Sequence, residues 1–428
     1  MGKLIKKYII TVLLLAFTVF TTGCSSVQKE ETGQPLTRKS VTVTVNRNKK
    51  ISRDIEKLLE EYGCIYGKVL TTLEKQDVSP VFIDDALRAV YEEKAEEYLN
   101  VFYQYPGIAQ QNRYKNQAAL DTLAAIRGMS AKDLAAESVA VTYNVDSVTE
   151  TEDMLIVHIR EENQQKFSFM ESPSYSANIS HWFAFRNTVS GWKIAGHLQE
   201  EDFFLLALEA WEEDTAGATY TDKVADTVKI LVADAQENID ELATEPGKDP
   251  ADKDIEKEYN REAAVKYAEK WWNERNYTGN LAYDVFGGNC QNFASQCIHA
   301  GGMDMDHSGY IQHQWKFYDR KINERWMPAG RSYSWTGVDA FYSYAQYNTD
   351  GMLCQTDLKL KYAEKGDVIQ VGAYHRWRHS LVVTDILQDE NGKMSDIVVA
   401  SNTADRWNYP LSAYIYTYPR LIHITGSN

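Results

Sequence analysis

The chain has 428 residues, about two to three times the usual length of one domain, so at least two folded units are expected. Hydrophobic residues make up 44%, charged residues 25% and aromatics 12%, a globular balance that excludes collagenous, largely disordered and polytopic membrane classes. Lys and Arg number 45 against 61 Asp and Glu, a net charge of -16, which argues against nucleic acid as a partner because phosphate neutralisation needs clustered cations.

Lys3, Lys6 and Lys7 precede an apolar run from Tyr8 to Phe20, and the small residues Thr21, Thr22 and Gly23 lead into Cys24. A basic front, a short apolar run and small residues behind it read as an export signal rather than a membrane span. The Gly23-Cys24 pair resembles the lipobox of bacterial lipoproteins. That resemblance implies that Cys24 is lipidated, becomes the mature N-terminus and attaches the chain to the outer face of the cell membrane; plain secretion is the alternative. Residues 25–50 are polar and read as a disordered tether. Apart from Cys24 the cysteines are Cys64, Cys290, Cys297 and Cys354, too few for a disulfide scaffold, so packing must supply the core.

From Ile51 to about Gly128, Leu58, Leu59 and Tyr62, then Val90, Tyr91 and Tyr98, recur at helical spacing. From Ser138 the period changes to two, in Val139–Tyr143, Met154–Ile159, Trp182–Phe185 and Gly191–Ala195, which predicts four antiparallel strands. Residues 51–210 therefore read as an N-terminal α+β domain of helices followed by a curved antiparallel sheet. Residues 211–256 read as an acidic helical linker that Pro246 and Pro250 close.

Residues 257–428 carry the chemistry. A helix is predicted from Cys290 to about Ala300, with Asn289 as N-cap and Gly301 as C′ residue, placing the Cys290 thiol in a first turn where unpaired N–H groups favour a thiolate. Cys297, two turns on, reads as a buried hydrophobe. A base must come from elsewhere, and His379 fits, at the start of a strand that turns at Asn391-Gly392 and returns to Asn402. That turn sets His379 opposite residues 402–404, so Asn402 is the expected orienter of its ring and Asp405 the alternative. Trp377 and Trp407 lie near the proposed site and Trp315, Trp326 and Trp335 add to an aromatic-rich unit, which reads equally as core or as a cleft for an extended substrate.

The stretch Asn289-Cys290-Gln291-Asn292-Phe293-Ala294-Ser295-Gln296-Cys297 with Ala300-Gly301-Gly302, together with Tyr259-Asn260-Arg261, Gly366-Asp367-Val368, His379-Ser380 and Asn402 to Arg406, resembles an amidase domain family of bacterial secreted proteins. The resemblance covers about residues 257–425. It implies a papain-like cysteine hydrolase of carbon–nitrogen bonds, a helix packed on an antiparallel sheet, with Cys290 as nucleophile and His379 as base. Peptide or peptidoglycan-type material is then the expected substrate, and no cofactor is expected. The Cys290 N–H with the Gln291 side chain would stabilise the oxyanion, and Trp377 and Asp405 would approach substrate.

Cys290, Cys297, His299 and His307 lack zinc-ligand spacing, and the run Asp304–Gly309 lacks the bidentate Glu of a calcium loop, so no metal is expected. The alternative to an enzyme is a surface-anchored binding or assembly module that keeps the fold without catalysis.

Overall fold

A computed structural model describes residues 22–25, 39–46, 50–83, 113–151, 154–205, 207, 220–276, 283, 286–308, 314–317, 331–373, 376–415 and 418–428. The chain is α+β. Ser52 starts α1 (Arg53–Thr72), its hydroxyl accepting the Ile55 N–H at 3.4 Å, with Asp54 and Glu56 favourably placed in the first turn. Ile55, Leu59, Tyr62, Val69 and Leu70 form its buried stripe, and α2 (Arg113–Met129) adds Leu120 and Leu123 to the same core. The helical expectation around Val90 and Tyr98 lies outside the described residues.

The tether expectation needs correction. Ser40–Asn46 is a strand, β2, in which Val41 and Val43 are buried against α1 while Thr42 and Thr44 face outward. Its polar composition is that of a strand with one buried face, not of a solvated segment. β1 (Thr22–Ser25) pairs antiparallel with β2. The Cys24 side chain and residues 1–21 lie outside the described residues, and the leader and lipidation readings lie there with them. Cys64, on α1, is disulfide-bonded, whereas Cys290, Cys297 and Cys354 are free thiols. Among the described residues no helix is long and apolar enough to cross a membrane.

The period-two segments form the predicted meander of β3 (Ser138–Glu150), β4 (Leu155–Lys166), β5 (Ser174–Thr188) and β6 (Gly191–Gln199), with β2 added in parallel beside β3. Inside it lies a buried polar chain in which Glu161 meets His181 at 3.2 Å, His181 meets His197 at 3.0 Å and His197 meets Asn116 at 2.7 Å.

The long β5 decides how the two halves join. β6 covers only His181–Thr188 of one β5 edge; the β4–β5 register shifts at Asn178, at φ 57, and Tyr175–Ala177 then pair with β12 (Asp405–Pro410). An uncovered strand edge invites pairing, and here the C-terminal unit takes it. The sheet continues through β11 (Met394–Ser401), β10 (Arg376–Gln388), β9 (Val368–Ala373), β13 (Tyr418–Ser427) and β7 (Lys257–Glu258), with β8 (Met352–Leu358) also on β13. All these pairs except β2–β3 are antiparallel.

The acidic segment contains α3 (Tyr220–Ala243), whose Leu231 and Ala235 are buried in the same core as α1. Leu381, Val383, Tyr409 and Leu411 of the C-terminal strands share that core as well. Arg127 of α2 clamps the junction by donating to the Gln165 side chain at 2.8 Å, to the Tyr409 hydroxyl at 2.6 Å and to the Ala413 carbonyl at 3.2 Å.

Gly67 marks the closest approach of α1 to β2, where an added Cβ would intrude on Val41 Cγ1. Gly67→Ala should therefore destabilise the chain by about 1–3 kcal/mol through overpacking, despite the better helix propensity of Ala. Denaturant unfolding measures this, and an unchanged or higher midpoint would show that the helix can shift freely.

Candidate active site

Four helices and two strands build the site. α4 (Arg261–Trp271) starts at Asn260, whose side chain accepts the Ala263 N–H at 3.0 Å. α5 (Cys290–Ala300) crosses β10 and β11, and α6 (Tyr333–Thr336), followed by α7 (Val338–Tyr347), closes its far side. Residues 290–298 of α5 are all buried, though several are polar, so each polar side chain must find a protein partner. Asn292 accepts from Trp335 Nε1 at 2.8 Å and donates to Asn289 at 2.9 Å. Ser295 donates to the Trp335 carbonyl at 2.9 Å, and Gln296 accepts from the Tyr267 hydroxyl at 2.7 Å. Trp315 and Trp335 are thus core residues, and Trp326 lies outside the described residues.

Gln291 is likewise consumed. Its Oε1 accepts from Ser380 Oγ at 2.7 Å and Gln370 Nε2 at 3.3 Å, while its Nε2 donates to Ser295 at 3.2 Å. The expected oxyanion role for this side chain is corrected: position 291 faces the sheet, on the buried side of the helix. The helix ends also differ from expectation. The Asn289 side chain makes no cap bond, and the left-handed residue after the helix is Gly302, at φ 96, not Gly301. Gly301 is required for space, because a Cβ there would fall within the ring of Tyr259.

Cys290 stands at the α5 N-terminus, 6% exposed. Its thiol points toward the Arg378 carbonyl at 4.0 Å and is hydrogen-bonded with His379, which is itself buried. Burial pushes the Cys290 thiol up, but the facing imidazolium of His379, the hydrogen bond to it, and the backbone N–H groups of Ser380 and Gln291 outweigh burial and hold it below the ordinary thiol range. Burial pulls His379 down, and the Cys290 thiolate more than reverses that, raising the imidazole above its ordinary value. The two shifts have one origin, a coupled pair that favours thiolate and imidazolium together. By contrast, burial above all pushes Cys354 up to about 12 and Cys297 well above the usual range.

The turn at Asp389–Lys393 sets the predicted register, with Val382 opposite Ala400. Asn402 nevertheless does not reach His379. Its Nδ2 donates to the carbonyls of Trp271, Trp272 and Glu274 at 2.9–3.0 Å, closing the end of α4, and its Oδ1 accepts from Asn289 Nδ2 at 2.6 Å. Asp405 is spent too: Arg275 grips both its oxygens at 3.0 Å, Asn178 donates at 2.7 Å and the Thr403 N–H at 2.9 Å. The expectation that either residue orients His379 is therefore corrected, because free carbonyls at the end of α4 and the Arg275 cation claim them first. Trp377, partly exposed, packs edge-on against Tyr418 at 4.6 Å with the Arg420 guanidinium 4.0 Å over its ring, so it lies on the rim beside the histidine strand.

Thr403 is a residue that sequence reading passed over. Its hydroxyl accepts the Asn289 N–H at 2.6 Å, pinning the residue before Cys290, and its own φ is 139, with Ala404 at 46. A β-branched residue in that region is strained, a cost that the surrounding bonds must hold. Nothing in local sequence signals it, since the contact spans 114 residues. Among the described residues no group of three or more His, Cys, Asp or Glu is arranged to hold a metal ion.

Residues 258–425 match the model of the family described as "Putative amidase domain", which ties this part of the chain to hydrolases of amide bonds. Over 116 residues the chain is 38% identical to the uncharacterized protein YhbB of Bacillus subtilis strain 168; the match takes in 26% of this chain and 32% of YhbB, so the chain spans about a third of the length of that curated relative. No solved structure matches the chain.

Two outcomes follow from this geometry. Iodoacetamide should label Cys290 rapidly at pH 6, ahead of Cys297 and Cys354; His379→Ala should move the onset of labelling to higher pH, because burial then meets only the two backbone N–H groups. Peptide mapping across a pH series reads this, and equal profiles would remove His379 from the pair. Asn402→Ala should lower unfolding stability by about 2–3 kcal/mol, since it strips partners from buried carbonyls and from Asn289, while leaving the pH onset of labelling in place.

Proposed function

We propose that the chain is an exported cysteine amidase that cleaves amide bonds in cell-wall peptides by a thiolate–imidazolium mechanism, on a papain-like arrangement of a helix-borne cysteine against a histidine-bearing strand. The observation that carries this reading is a buried thiol at the N-terminus of α5 set beside a buried imidazole on β10, where each favours the charged form of the other. A structural cysteine in the same burial would be pushed the other way, as Cys297 is.

In this mechanism the Cys290 thiolate attacks the amide carbonyl carbon and forms a tetrahedral intermediate. The developing oxyanion faces the N–H groups of the first turn of α5, where the helix dipole favours negative charge. His379, already protonated, gives its proton to the leaving amine as the carbon–nitrogen bond breaks. The imidazole then takes a proton from water, which attacks the thioester and releases the acid from Cys290. The rim around Trp377, Tyr418 and Arg420 supplies aromatic and cationic surface beside the histidine. Export is supported by the basic and apolar start of the sequence.

Soluble peptidoglycan fragments incubated with the chain should release new amino groups, and Cys290→Ser and His379→Ala should each reduce the rate by roughly a hundredfold or more. Mass spectrometry of the products identifies the bond cut. Cleavage that survives Cys290→Ser would overturn the mechanism; a reactive Cys290 with no cleavage of any wall peptide would overturn the substrate class.

A further inference from the structure

Among the described residues, none orients the His379 imidazole through a hydrogen bond. Its Nε2 is buried without a partner, and both residues that sequence offered for the role are committed elsewhere. Tyr414, itself buried, lies beside it instead, with ring centroids 6.2 Å apart and planes tilted by 40°, within the range of an aromatic pair. Pro410 ends β12, the short helical turn Leu411–Ala413 follows, and the Tyr414 N–H donates to the Leu411 carbonyl at 3.1 Å, so that the chain turns back toward β11 and β10. Three neighbours then fix the ring. Ser401 donates to the Ala404 carbonyl at 3.3 Å, and a serine hydroxyl has one proton, so at 2.9 Å the Tyr414 hydroxyl donates to Ser401 Oγ. The guanidinium of Arg406, opposite Ser401 in the β11–β12 ladder, lies 4.4 Å over the Tyr414 ring, and Tyr409 packs edge-on against it at 5.2 Å.

We propose that Tyr414 is the positioning residue of His379: a ring clamped from the β11–β12 ladder takes the place of a hydrogen-bonding third residue and holds the imidazole against the Cys290 thiol by packing. This rests on the cysteine–histidine reading above. An imidazole that makes no bond at Nε2 is free to turn about its side-chain torsions unless packing stops it, and turning breaks the contact on which a thiolate–imidazolium pair depends. A fixed ring beside it removes that freedom and adds no charge. The clamp reaches back into the N-terminal unit, because β12 pairs with β5, Arg406 opposite Ser176, and Glu201, just after β6, is ion-paired with Arg406. The titratable and charged groups around the imidazole are Cys290 from α5, Tyr414, and Arg406 with Glu201 and Asp202 paired to it. The substitutions at Tyr414 below leave every one of the other groups in place.

The test is the pH dependence of Cys290 labelling by iodoacetamide in the full chain. Tyr414→Leu removes the ring; labelling at pH 6 should slow by roughly threefold or more, and its onset should move toward that of His379→Ala, since the thiolate fraction falls about tenfold for each unit by which the thiol rises. Tyr414→Phe keeps the ring and loses only the hydroxyl, so its onset should match that of the wild-type chain. Phe167→Leu, which removes another fully buried ring of the same core, should lower unfolding stability and leave the onset in place. A wild-type profile in Tyr414→Leu overturns the proposal. So does an equal shift in Tyr414→Phe, which would make the hydroxyl the acting group, or in Phe167→Leu, which would mark general loosening of the core. Should thermal unfolding show Tyr414→Leu to be misfolded, Tyr414→Met gives the same comparison. Absence of rapid labelling at pH 6 in the wild-type chain is a separate result that overturns the cysteine–histidine reading and this proposal with it.

Discussion

A helix buried along its first nine residues while carrying Gln291, Asn292, Ser295 and Gln296 is the constraint on which the C-terminal unit depends. In a low-dielectric interior each of those groups costs heavily unless it is bonded. The neighbours are accordingly chosen to bond them: Trp335 through its indole and its carbonyl, Ser380 and Gln370 from the sheet, Tyr267 from α4. A network satisfied on every side cannot slide, so the N-terminus of α5 has one position relative to β10. That fixed position sets Cys290 against His379.

The same logic extends into the loop after β11. Asn402 links the end of α4 to Asn289, Thr403 holds the Asn289 N–H, and Asp405 ties Arg275 to β5 through Asn178. Asn402 and Thr403 thereby converge on Asn289, the residue preceding Cys290. The strained backbone at Thr403 and Ala404 is the cost of bringing those groups together in so short a turn.

The N-terminal unit is joined too closely to be a detached spacer. β5 is shared between β6 and β12, the core around α1 includes Leu381 and Val383 of β10, and the Arg127 clamp and the Arg406–Glu201 pair are buried at the junction. Buried ion pairs of this kind recover their desolvation cost only when geometry and added hydrogen bonds are good. Their value here is orientation: they hold two halves of one sheet in a single register.

Much of the site was legible before any coordinates. The glycine-bounded stretch around Cys290 predicted the helix and put the thiol in its first turn; the Asn391-Gly392 turn predicted the register of β10 with β11; alternation predicted the meander of β3 to β6. Those features depend on residues close in sequence, where local geometry dictates the outcome. The roles of Gln291, Asn402 and Asp405 differ from expectation because a polar side chain bonds whichever group the fold brings nearest, and their partners include groups 79 to 227 residues away. β2 was missed because a parallel neighbour, β3, begins about a hundred residues later. The sequence by itself determined the helix that bears Cys290 and the strand that bears His379. Only the tertiary structure decided what surrounds them, since burial and long-range pairing, not residue type, set which groups remain free to act.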